Sequence, residues 1–320
     1  HTDADLTVEF TGITAETTGD ITLYAKWTAE IVDPTPTPDV GEGTMTGASV
    51  TIGTDLTMNY QATVGENESV SMIFTMNGKQ VVVSGDTEDG TNYTFDFQRI
   101  APHLMGENIT AQLVVNNEVK DEKTEYSVYQ NLVNTFNRTT STELKTLVAD
   151  TLNYGAMAQA YKNHNTENLV NTDAGIAAYA STFVELTETD FANETNNAVD
   201  GFKISAGGVY FDYANNVYIK FTAGAGYKVT ISTNDLEETV ITDVKVDGDY
   251  LKAYSPDISA LEFDKVFTFK LYSGETLVQT VSYSVKTFVY NKQNAETDVA
   301  NLAKALYTYG LATIAYKASV

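Results

Sequence analysis

One stretch of this 320-residue chain occurs twice. Thr91–Leu113 (TNYTFDFQRIAPHLMGENITAQL) aligns with Asp249–Leu271 (DYLKAYSPDISALEFDKVFTFKL) at a constant offset of 158 residues. The two copies share their pattern of apolar positions, and Ile100, for example, aligns with Ile258. Repetition of such a pattern at a fixed spacing indicates tandem copies of one structural unit.

The repetition extends to both sides of this stretch. Three further pairs of segments align, namely Leu56–Tyr60 with Val217–Phe221, Tyr126–Val128 with Tyr283–Val285, and Leu147–Tyr161 with Leu302–Tyr316. Each copy has the pattern of several strands with alternating apolar residues, followed by one helix of about 20 residues. The predicted helices span 141–162 and 296–316 and contain Gly155 and Gly310. Because a glycine within a helix costs about 1 kcal/mol relative to alanine, both glycines predict close packing of a helix against a sheet.

The predicted fold class is therefore mainly β with α (α+β). We expect two tandem β-sandwich-like lobes, each closed by a C-terminal helix. Lobe 1 spans 47–162 and lobe 2 spans 201–320, and the apolar residues between them predict a helical connector over 163–200. Residues 32–46 are predicted to form a Pro/Gly linker, because three of the chain's five prolines lie within Asp33–Asp39.

Composition and charge exclude several classes of partner and chemistry. The chain has 43 acidic residues against 19 Lys and Arg, a formal net charge of −24 that repels nucleic acid and anionic lipid and favours neutral ligands. It has no cysteine, which excludes disulfides, thiolate metal sites and thiol nucleophiles. The histidines, His1, His103 and His164, are predicted to be too few and too scattered for a metal or acid–base site. No apolar run is long enough to predict membrane insertion.

The second copy carries outward tyrosines that the first copy lacks. Successive side chains of a strand point to opposite faces. Every second residue is therefore expected on the outer face of a sheet in Val209–Tyr213, Val217–Phe221 and Phe267–Tyr272. Tyr254 of the repeated stretch is a fourth such position. Where the second copy has Tyr210, Tyr218, Tyr254 and Tyr272, the first copy has Ser49, Thr57, Asp96 and Val114, respectively. The residues predicted to bind ligand are Tyr210, Asp212, Tyr218, Lys220, Tyr254, Lys270 and Tyr272.

Exposed aromatic rings flanked by hydrogen-bonding groups suit a neutral, amphipathic ligand such as a sugar. The apolar face of the sugar ring stacks on tyrosine, and its hydroxyl groups bond to carboxylate, amide or ammonium groups. The alternative interpretation is strand propensity, because tyrosine is common on the solvent side of strands.

Enzymatic activity and a cofactor are not predicted. Glycosidases need two carboxylates about 5 to 10 Å apart, but in so acidic a chain pairs such as Asp86/Asp89 and Asp247/Asp249 arise by chance. No nucleophile-elbow, zincin or phosphate-loop motif occurs. The loops that hold these acids have enough oxygen ligands for a structural Ca²⁺, although solvated turns are the favoured interpretation.

Two parts of the chain resemble segments of bacterial surface proteins. Thr18–Trp27 (TGDITLYAKW) resembles the closing strand of the internalin-type B repeat of Gram-positive surface proteins. This resemblance implies that residues 1–31 are the C-terminal part of such a repeat. Each copy of the duplication resembles a module of clostridial surface proteins, which is clearest in Phe95–Gly106 and Leu152–Gln159. The tandem arrangement resembles the second starch-binding domain of the starch adherence system proteins in ruminococcal amylosomes.

The resemblance implies a non-catalytic, two-lobed groove for starch, an α-1,4-glucan. The predicted function is thus carbohydrate binding by a module of an extracellular protein, on the surface of a gut bacterium or in a secreted complex. Its expected partners are neutral polysaccharide and the other modules of the same surface protein. Two alternatives remain open: adhesion to a host protein such as immunoglobulin, and a purely structural surface stalk.

Overall fold

The computed structural model describes residues 43–53, 55–65 and 69–320, apart from the side chain of Glu125. The predicted internalin-type unit (1–31) and residues 32–42 of the predicted linker lie outside the described residues. The described chain is mainly β with additional helices, which confirms the predicted α+β class at this level.

Within the described part of residues 43–162 the elements follow in this order: β1 (Gly43–Ile52), β2 (Leu56–Val64), β3 (Val70–Met76), β4 (Lys79–Ser84), β5 (Asp86–Thr87), β6 (Asn92–Ile100), β7 (Ile109–Val115), β8 (Glu118–Tyr126), α1 (Val128–Arg138) and α2 (Thr142–Lys162). A 3₁₀ turn, Pro102–Leu104, separates β6 from β7. We call this part the first half.

The rest of the chain repeats the order after a short insertion: α3 (Ala174–Ala177), β9 (Ala192–Thr195), β10 (Lys203–Phe211), β11 (Asn215–Thr222), β12 (Tyr227–Ser232), β13 (Thr239–Val240), β14 (Lys245–Asp247), β15 (Tyr250–Tyr254), β16 (Phe267–Ser273), β17 (Thr276–Tyr283), α4 (Val285–Lys292) and α5 (Asp298–Ser319). A 3₁₀ turn, Ala260–Glu262, lies between β15 and β16. Residues 203–319 form the second half.

The strand order is the same in both halves. The first half contains the antiparallel sheets β1-β2-β6-β5 and β4-β3-β7-β8. The second half contains β10-β11-β15-β14 and β13-β12-β16-β17, and β9 is added at the edge of the latter sheet. The repetition of the sequence therefore corresponds to a repetition of sheet topology.

The two sheets of the first half face each other across one apolar core. Rings from three strands meet there: the centroid of Phe74 in β3 lies 5.2 Å from that of Tyr60 in β2 and 5.0 Å from that of Phe97 in β6. In the second half, Phe221 of β11 and Phe269 of β16 belong to one buried cluster. Alternation of apolar and polar residues positions these rings, because successive side chains of a strand point to opposite faces.

The start of β1 corrects the predicted linker. Residues 43–46 belong to that prediction because they continue the glycine-containing stretch after the prolines, but Gly43 is buried and a Cβ there would lie 3.0 Å from the Leu113 side chain. Met45 is also buried, and its N–H donates to Asp121 Oδ2 at 2.8 Å. Here glycine permits close packing rather than flexibility.

The connector also differs from its prediction. Of the described residues 163–200, only α3 is α-helical, and the chain then continues without regular secondary structure to β9. The side chain of Gln293 explains this path, because its Oε1 accepts from Leu186 N at 2.8 Å and its Nε2 donates to Leu186 O at 2.9 Å. A tertiary contact thus replaces the helical hydrogen bonds that the apolar composition suggested.

Each half ends in two helices rather than the single helix predicted. The shorter helices, α1 and α4, begin at equivalent N-caps, Ser127 and Ser284, whose hydroxyl oxygens accept a backbone N–H of the first turn. Ser127 also forms a capping box with Gln130. The longer helices, α2 and α5, are capped by Ser141 and Thr297 in the same way.

Gly155 and Gly310 are buried, as predicted, but their neighbours are the 3₁₀ turns rather than a sheet. A Cβ on Gly155 would lie 2.6 Å from Met105 Sδ and 3.3 Å from Pro102 O. A Cβ on Gly310 would collide with the ring of Phe263, which directly follows the second turn. The same helix-to-turn contact therefore occurs in both halves.

We expect Gly155→Ala and Gly310→Ala each to lower the free energy of unfolding by about 1 to 3 kcal/mol through overpacking. This is the net change, after the gain of about 1 kcal/mol in helix propensity is taken into account. Urea denaturation measures the change. Gly47→Ala is the control, because its Cβ would make only an ordinary contact, 3.5 Å from Gln61 Oε1. Unchanged or increased stability of both helix variants would contradict the packing account.

Asp150 is a fully buried carboxyl group in α2. Its Oδ1 accepts from Ser181 N at 2.7 Å and its Oδ2 from Ser181 Oγ at 2.6 Å. Burial raises the pKa of Asp150 more than these two hydrogen bonds lower it. The carboxyl therefore binds its proton more tightly in the folded chain than in the unfolded chain. It penalises folding at neutral pH, and the penalty disappears as the pH falls through the raised pKa towards the unfolded value.

Asp150→Asn is thus expected to be at least as stable as the wild type at neutral pH, because the amide accepts from Ser181 N and donates to Ser181 Oγ. The difference between the two proteins should shrink as the pH is lowered, which urea midpoints at a series of pH values will show. As a matched variant, Ser181→Ala should cost about 1 to 3 kcal/mol, because Asp150 Oδ2 loses its hydroxyl donor while Oδ1 keeps the backbone N–H of residue 181. A neutral-pH loss in Asp150→Asn as large as that in Ser181→Ala would refute this assignment.

Candidate ligand-binding site

The structure places the seven predicted site residues on two different sheets. Tyr210, Tyr218, Lys220 and Tyr254 lie on β10, β11 and β15, and Asp212 follows β10. Lys270 and Tyr272 lie on β16 in the other sheet. Both sheets bury their inner faces in the same core, so their outer faces point away from each other. The prediction of one surface built from all seven residues is therefore corrected to two separate groups.

The tyrosines of the first group are in mutual contact. Tyr218 pairs directly with Tyr254 across β11 and β15, and their ring centroids are 5.5 Å apart with an interplanar angle of 46°. Tyr210 packs edge-to-face on Tyr254, at 5.9 Å and 78°. We call these three residues the tyrosine face. Their rings form a connected but non-planar surface.

Tyr218 also has a structural role within this surface. A Cβ on Gly208, its cross-strand partner in β10, would lie 2.6 Å from the Tyr218 ring, so the ring covers that glycine. Lys252 Nζ lies 4.9 Å from the ring centroid. Cross-strand aromatic packing of this kind supports a strand that contains glycine.

One end of the tyrosine face is closed by a charge network. Lys220 Nζ and Lys252 Nζ lie 3.2 and 3.1 Å from Asp247 Oδ2, and Lys220 also lies 4.3 Å from the centroid of the Tyr250 ring. Hydrogen bonds from Lys252 and then from Lys220 hold the pKa of Asp247 below its usual value, and the bond to Asp247 raises the pKa of Lys252. The predicted ligand group Lys220 is thus engaged within the sheet.

The other end of the tyrosine face is open. Tyr210 is 45% exposed, and its hydroxyl donates to Asp212 Oδ2 at 3.3 Å. Partial burial and then the Asp212 carboxylate raise the pKa of Tyr210, which keeps the phenol protonated as a donor. Asp212 also lines a small cleft with His103 and Tyr161 of the first half. The tyrosine face therefore leads to the junction between the two halves.

Two histidines that the sequence places far apart meet at this junction. The rings of His103 and His164 are 5.4 Å apart, and His164 Nε2 lies 2.7 Å from Glu107 Oε1. Burial is the main cause that lowers the pKa of His103, and His164 adds to it. The prediction that the histidines are scattered is thus wrong for this pair, which the spacing of residues along the chain did not reveal. Within the described ranges no group of three or more His, Asp or Glu residues is arranged to hold a metal ion.

The second group is satisfied by contacts within the chain. Tyr272 Oη donates to Glu238 Oε1 at 2.9 Å, and Lys270 Nζ forms an ion pair with the same carboxylate. Thr230 Oγ1 also donates to Glu238 Oε1, and Lys228 Nζ lies 4.5 Å from the centroid of the Tyr272 ring. The bond from Lys270 is the main cause that lowers the pKa of Glu238. Lys270 and Tyr272 are thus both engaged with Glu238, on a sheet face that points away from the tyrosine face.

Comparison with known proteins leaves the family open. No family model matches the chain, and no curated protein matches it. One solved structure to which the chain is similar is called "Anomalous substructure of Titin-A168169", with 9% sequence identity, coverage of 76% of this chain and 97% of that chain, and a TM-score of 0.19. A likeness at that score carries no argument about fold or function. None of the helices in the described residues is long and apolar enough to cross a membrane.

We expect Tyr218→Ala to destabilise the protein by about 1 kcal/mol, because it uncovers Gly208 and removes the contact with Tyr254. Tyr210→Ala, at the exposed end of the same face, should change stability by less than about 0.5 kcal/mol. Thermal denaturation of both variants beside the wild type provides the comparison. Equal losses in the two variants would show that Tyr218 does not support the strand.

Proposed function

We propose that the described chain is a non-catalytic carbohydrate-binding module with an α-1,4-glucan such as starch as its ligand. The observation that carries the proposal is the connected group of Tyr210, Tyr218 and Tyr254 on one outer sheet face, open at Tyr210 and bordered by Asp212. In this proposal the two halves are β-sandwich lobes, each closed by its C-terminal helices. The module belongs to an extracellular protein of a bacterial surface or secreted complex.

The chemistry of this face suits a sugar. The exposed ring of Tyr210 offers an apolar surface to the C–H face of a pyranose, and the Asp212 carboxylate beside it accepts hydrogen bonds from hydroxyl groups. Asn216 pairs with Tyr210 across the strands and adds an amide, which already donates to Asp257 Oδ1 at 2.9 Å. Stacking with a few polar contacts is typical of sites that fix the orientation of a small ligand.

Ring orientation favours an α-linked glucan over a β-1,4-linked one. A β-1,4-glucan is a flat ribbon and is matched by aromatic rings in one plane. The α-1,4 linkage turns each successive sugar and gives a curved chain. Because the rings of the tyrosine face are inclined at 46° and 78° to their neighbours, they match a curved ligand better than a flat one. The formal charge of −24 also disfavours polyanionic glycans.

The carboxylates around this face support binding rather than turnover. Asp247 is paired with two lysines, Asp257 accepts from Asn216, and Asp212 accepts from Tyr210. A glycosidase needs two carboxyl groups about 5 to 10 Å apart, of which one donates a proton to the substrate. The proposal therefore assigns no catalytic residue to this chain.

Calorimetric titration with maltoheptaose tests the proposal. We expect wild-type binding, a loss of about tenfold in affinity (about 1 to 2 kcal/mol) in Tyr210→Ala, and a similar loss in Tyr254→Ala. Tyr272→Ala is the matched control, because this residue is a tyrosine on the opposite sheet, and its affinity should equal that of the wild type. The affinity should also be nearly independent of salt, since no charges pair on binding.

Three results would go against the proposal. Absence of heat with the wild type at millimolar ligand would favour the alternative of a host-protein adhesin, or of a structural stalk. Equal weakening in Tyr272→Ala and Tyr210→Ala would move the site away from the tyrosine face. Release of glucose or shorter glucans during the titration would show that the chain is an enzyme.

A further inference from the structure

The two halves differ at one sheet edge. In the second half, β9 pairs antiparallel with β17, with Asn193 opposite Val281 and Thr195 opposite Gln279. In the first half the equivalent strand is β8, which pairs with β7 and is the last strand of its sheet in the described chain. A sheet edge presents free N–H and C=O groups to which an extended segment can pair.

The residues around the two edges correspond closely. Gln279 Oε1 accepts from Ile204 N of β10 at 2.8 Å, and Asp121 Oδ2 accepts from Met45 N of β1 at 2.8 Å. Both first strands contain a bulge at this point, between Ile204 and Ala206 and between Met45 and Gly47. The registers differ at one point, because β8 has an extra residue between Lys123 and Tyr126, where the equivalent part of β17 is regular. Apart from this bulge, the edge of β17 serves as a template for the edge of β8.

β9 supplies two kinds of contact besides its backbone. Just before it, Phe191 packs edge-to-face on Tyr283, with ring centroids 6.3 Å apart. Two residues later, Asn193 Oδ1 accepts from Gln279 Nε2 at 2.7 Å. An aromatic anchor followed by a polar residue at the second position therefore characterises the strand that covers this edge.

The first half has an open groove where that aromatic residue would lie. The groove has a volume of about 290 Å³ and is lined by residues 45–48 of β1, Tyr60 of β2, and Lys123, Thr124 and Tyr126 of β8. Tyr126 takes the place of Tyr283, and its Oη accepts from Asn131 Nδ2 at 2.9 Å. We call this space the edge groove.

Tyr60 gives an independent indication of a ligand in the edge groove. Its side chain is only 1% exposed, and among the described residues its hydroxyl has no hydrogen-bond partner. A buried hydroxyl without a partner costs free energy, which a ligand carbonyl or hydroxyl in the groove would recover.

We propose that the edge of β8 and the edge groove bind an extended basic peptide of another protein, which adds to the sheet as an antiparallel strand. An aromatic or large aliphatic residue of the peptide fills the groove beside Tyr60 and Tyr126. A lysine or arginine two residues later pairs with Asp121, which stands where the second half has the neutral Gln279. Backbone pairing supplies affinity, and the two side-chain contacts supply specificity.

Charge favours this occupant over a second copy of the chain. The described edge side chains of β8 include Glu118, Asp121 and Glu122 against Lys120 and Lys123, and the whole chain has a net charge of −24. Pairing of two identical acidic edges brings like charges together, whereas a basic peptide is attracted.

The test uses fluorescein-labelled peptides of residues 189–197, the sequence that covers β17, with the full chain. We expect the peptide carrying Asn193→Lys to bind in an anisotropy titration, and the peptide that also carries Phe191→Ala to bind about tenfold more weakly. Asp121→Asn in the protein keeps one oxygen to accept from Met45 N but loses the oxygen that accepts from Glu122 N, so its stability is measured by urea denaturation beside the wild type. It should weaken the lysine peptide about fivefold and leave the unmodified peptide unaffected. Tyr60→Phe, which is isosteric, should weaken both peptides by a similar factor without loss of stability.

Hydrogen exchange locates the bound peptide. Protection should increase in residues 118–126 and stay unchanged in residues 276–283. Protection in β17 instead, through displacement of β9, would overturn the assignment. So would equal affinity of the peptides with and without Phe191, or no saturable signal at about 1 mM peptide. Concentration-dependent dimerisation that Asp121→Asn strengthens would identify a second copy as the occupant and contradict the peptide proposal.

Discussion

The contact between α2 and α5 joins the two halves, and the arrangement of the candidate site depends on it. Tyr154 and Tyr309 stack at 5.5 Å with an interplanar angle of 8°, and Tyr154 Oη donates to Asn215 Oδ1 at the start of β11. Burial raises the pKa of both hydroxyls, so each remains a neutral group in the apolar interface. The hydrogen bond links a helix of the first half to a strand of the second. This link holds His103 and Asp212 on opposite sides of one cleft.

Local sequence patterns predicted the features that depend on local geometry. Alternation placed Phe221 and Phe269 in the core and Tyr210 on an outer face, because a strand has a fixed period of two. The assignment of Lys270 to the same surface as Tyr210 failed for a different reason. Alternation shows which side of a strand a residue occupies, whereas the sheet to which the strand belongs is set by pairing between distant segments. The meeting of His103 with His164 is likewise a product of the tertiary fold.

Single glycines and serines also show that a local pattern does not identify the tertiary contact of a residue. Gly155 was correctly predicted to be buried, but its partner is the turn after β6, which alignment of the two copies alone did not indicate. The helix α1 was not predicted, although Ser127, followed three residues later by Gln130, forms the capping box that marks its start. Gly43 was assigned to a linker because composition does not distinguish a glycine needed for packing from one that adds flexibility.

Duplication explains why the two candidate surfaces differ from each other. The core cluster of each half contains residues from two sheets, and that of the second half also contains Leu147, Tyr154 and Ala158 of α2, so packing constrains these buried positions more tightly than the outer faces and edges. The tyrosine face and the strand that covers the edge of β17 occur in the second half, whereas in the described part of the first half β8 is the last strand of its sheet. The two proposals differ in the charge of the ligand. We propose a neutral ligand for the tyrosine face, so its binding should not depend on salt, and a basic peptide for the edge that presents Asp121, so its binding should weaken as salt increases.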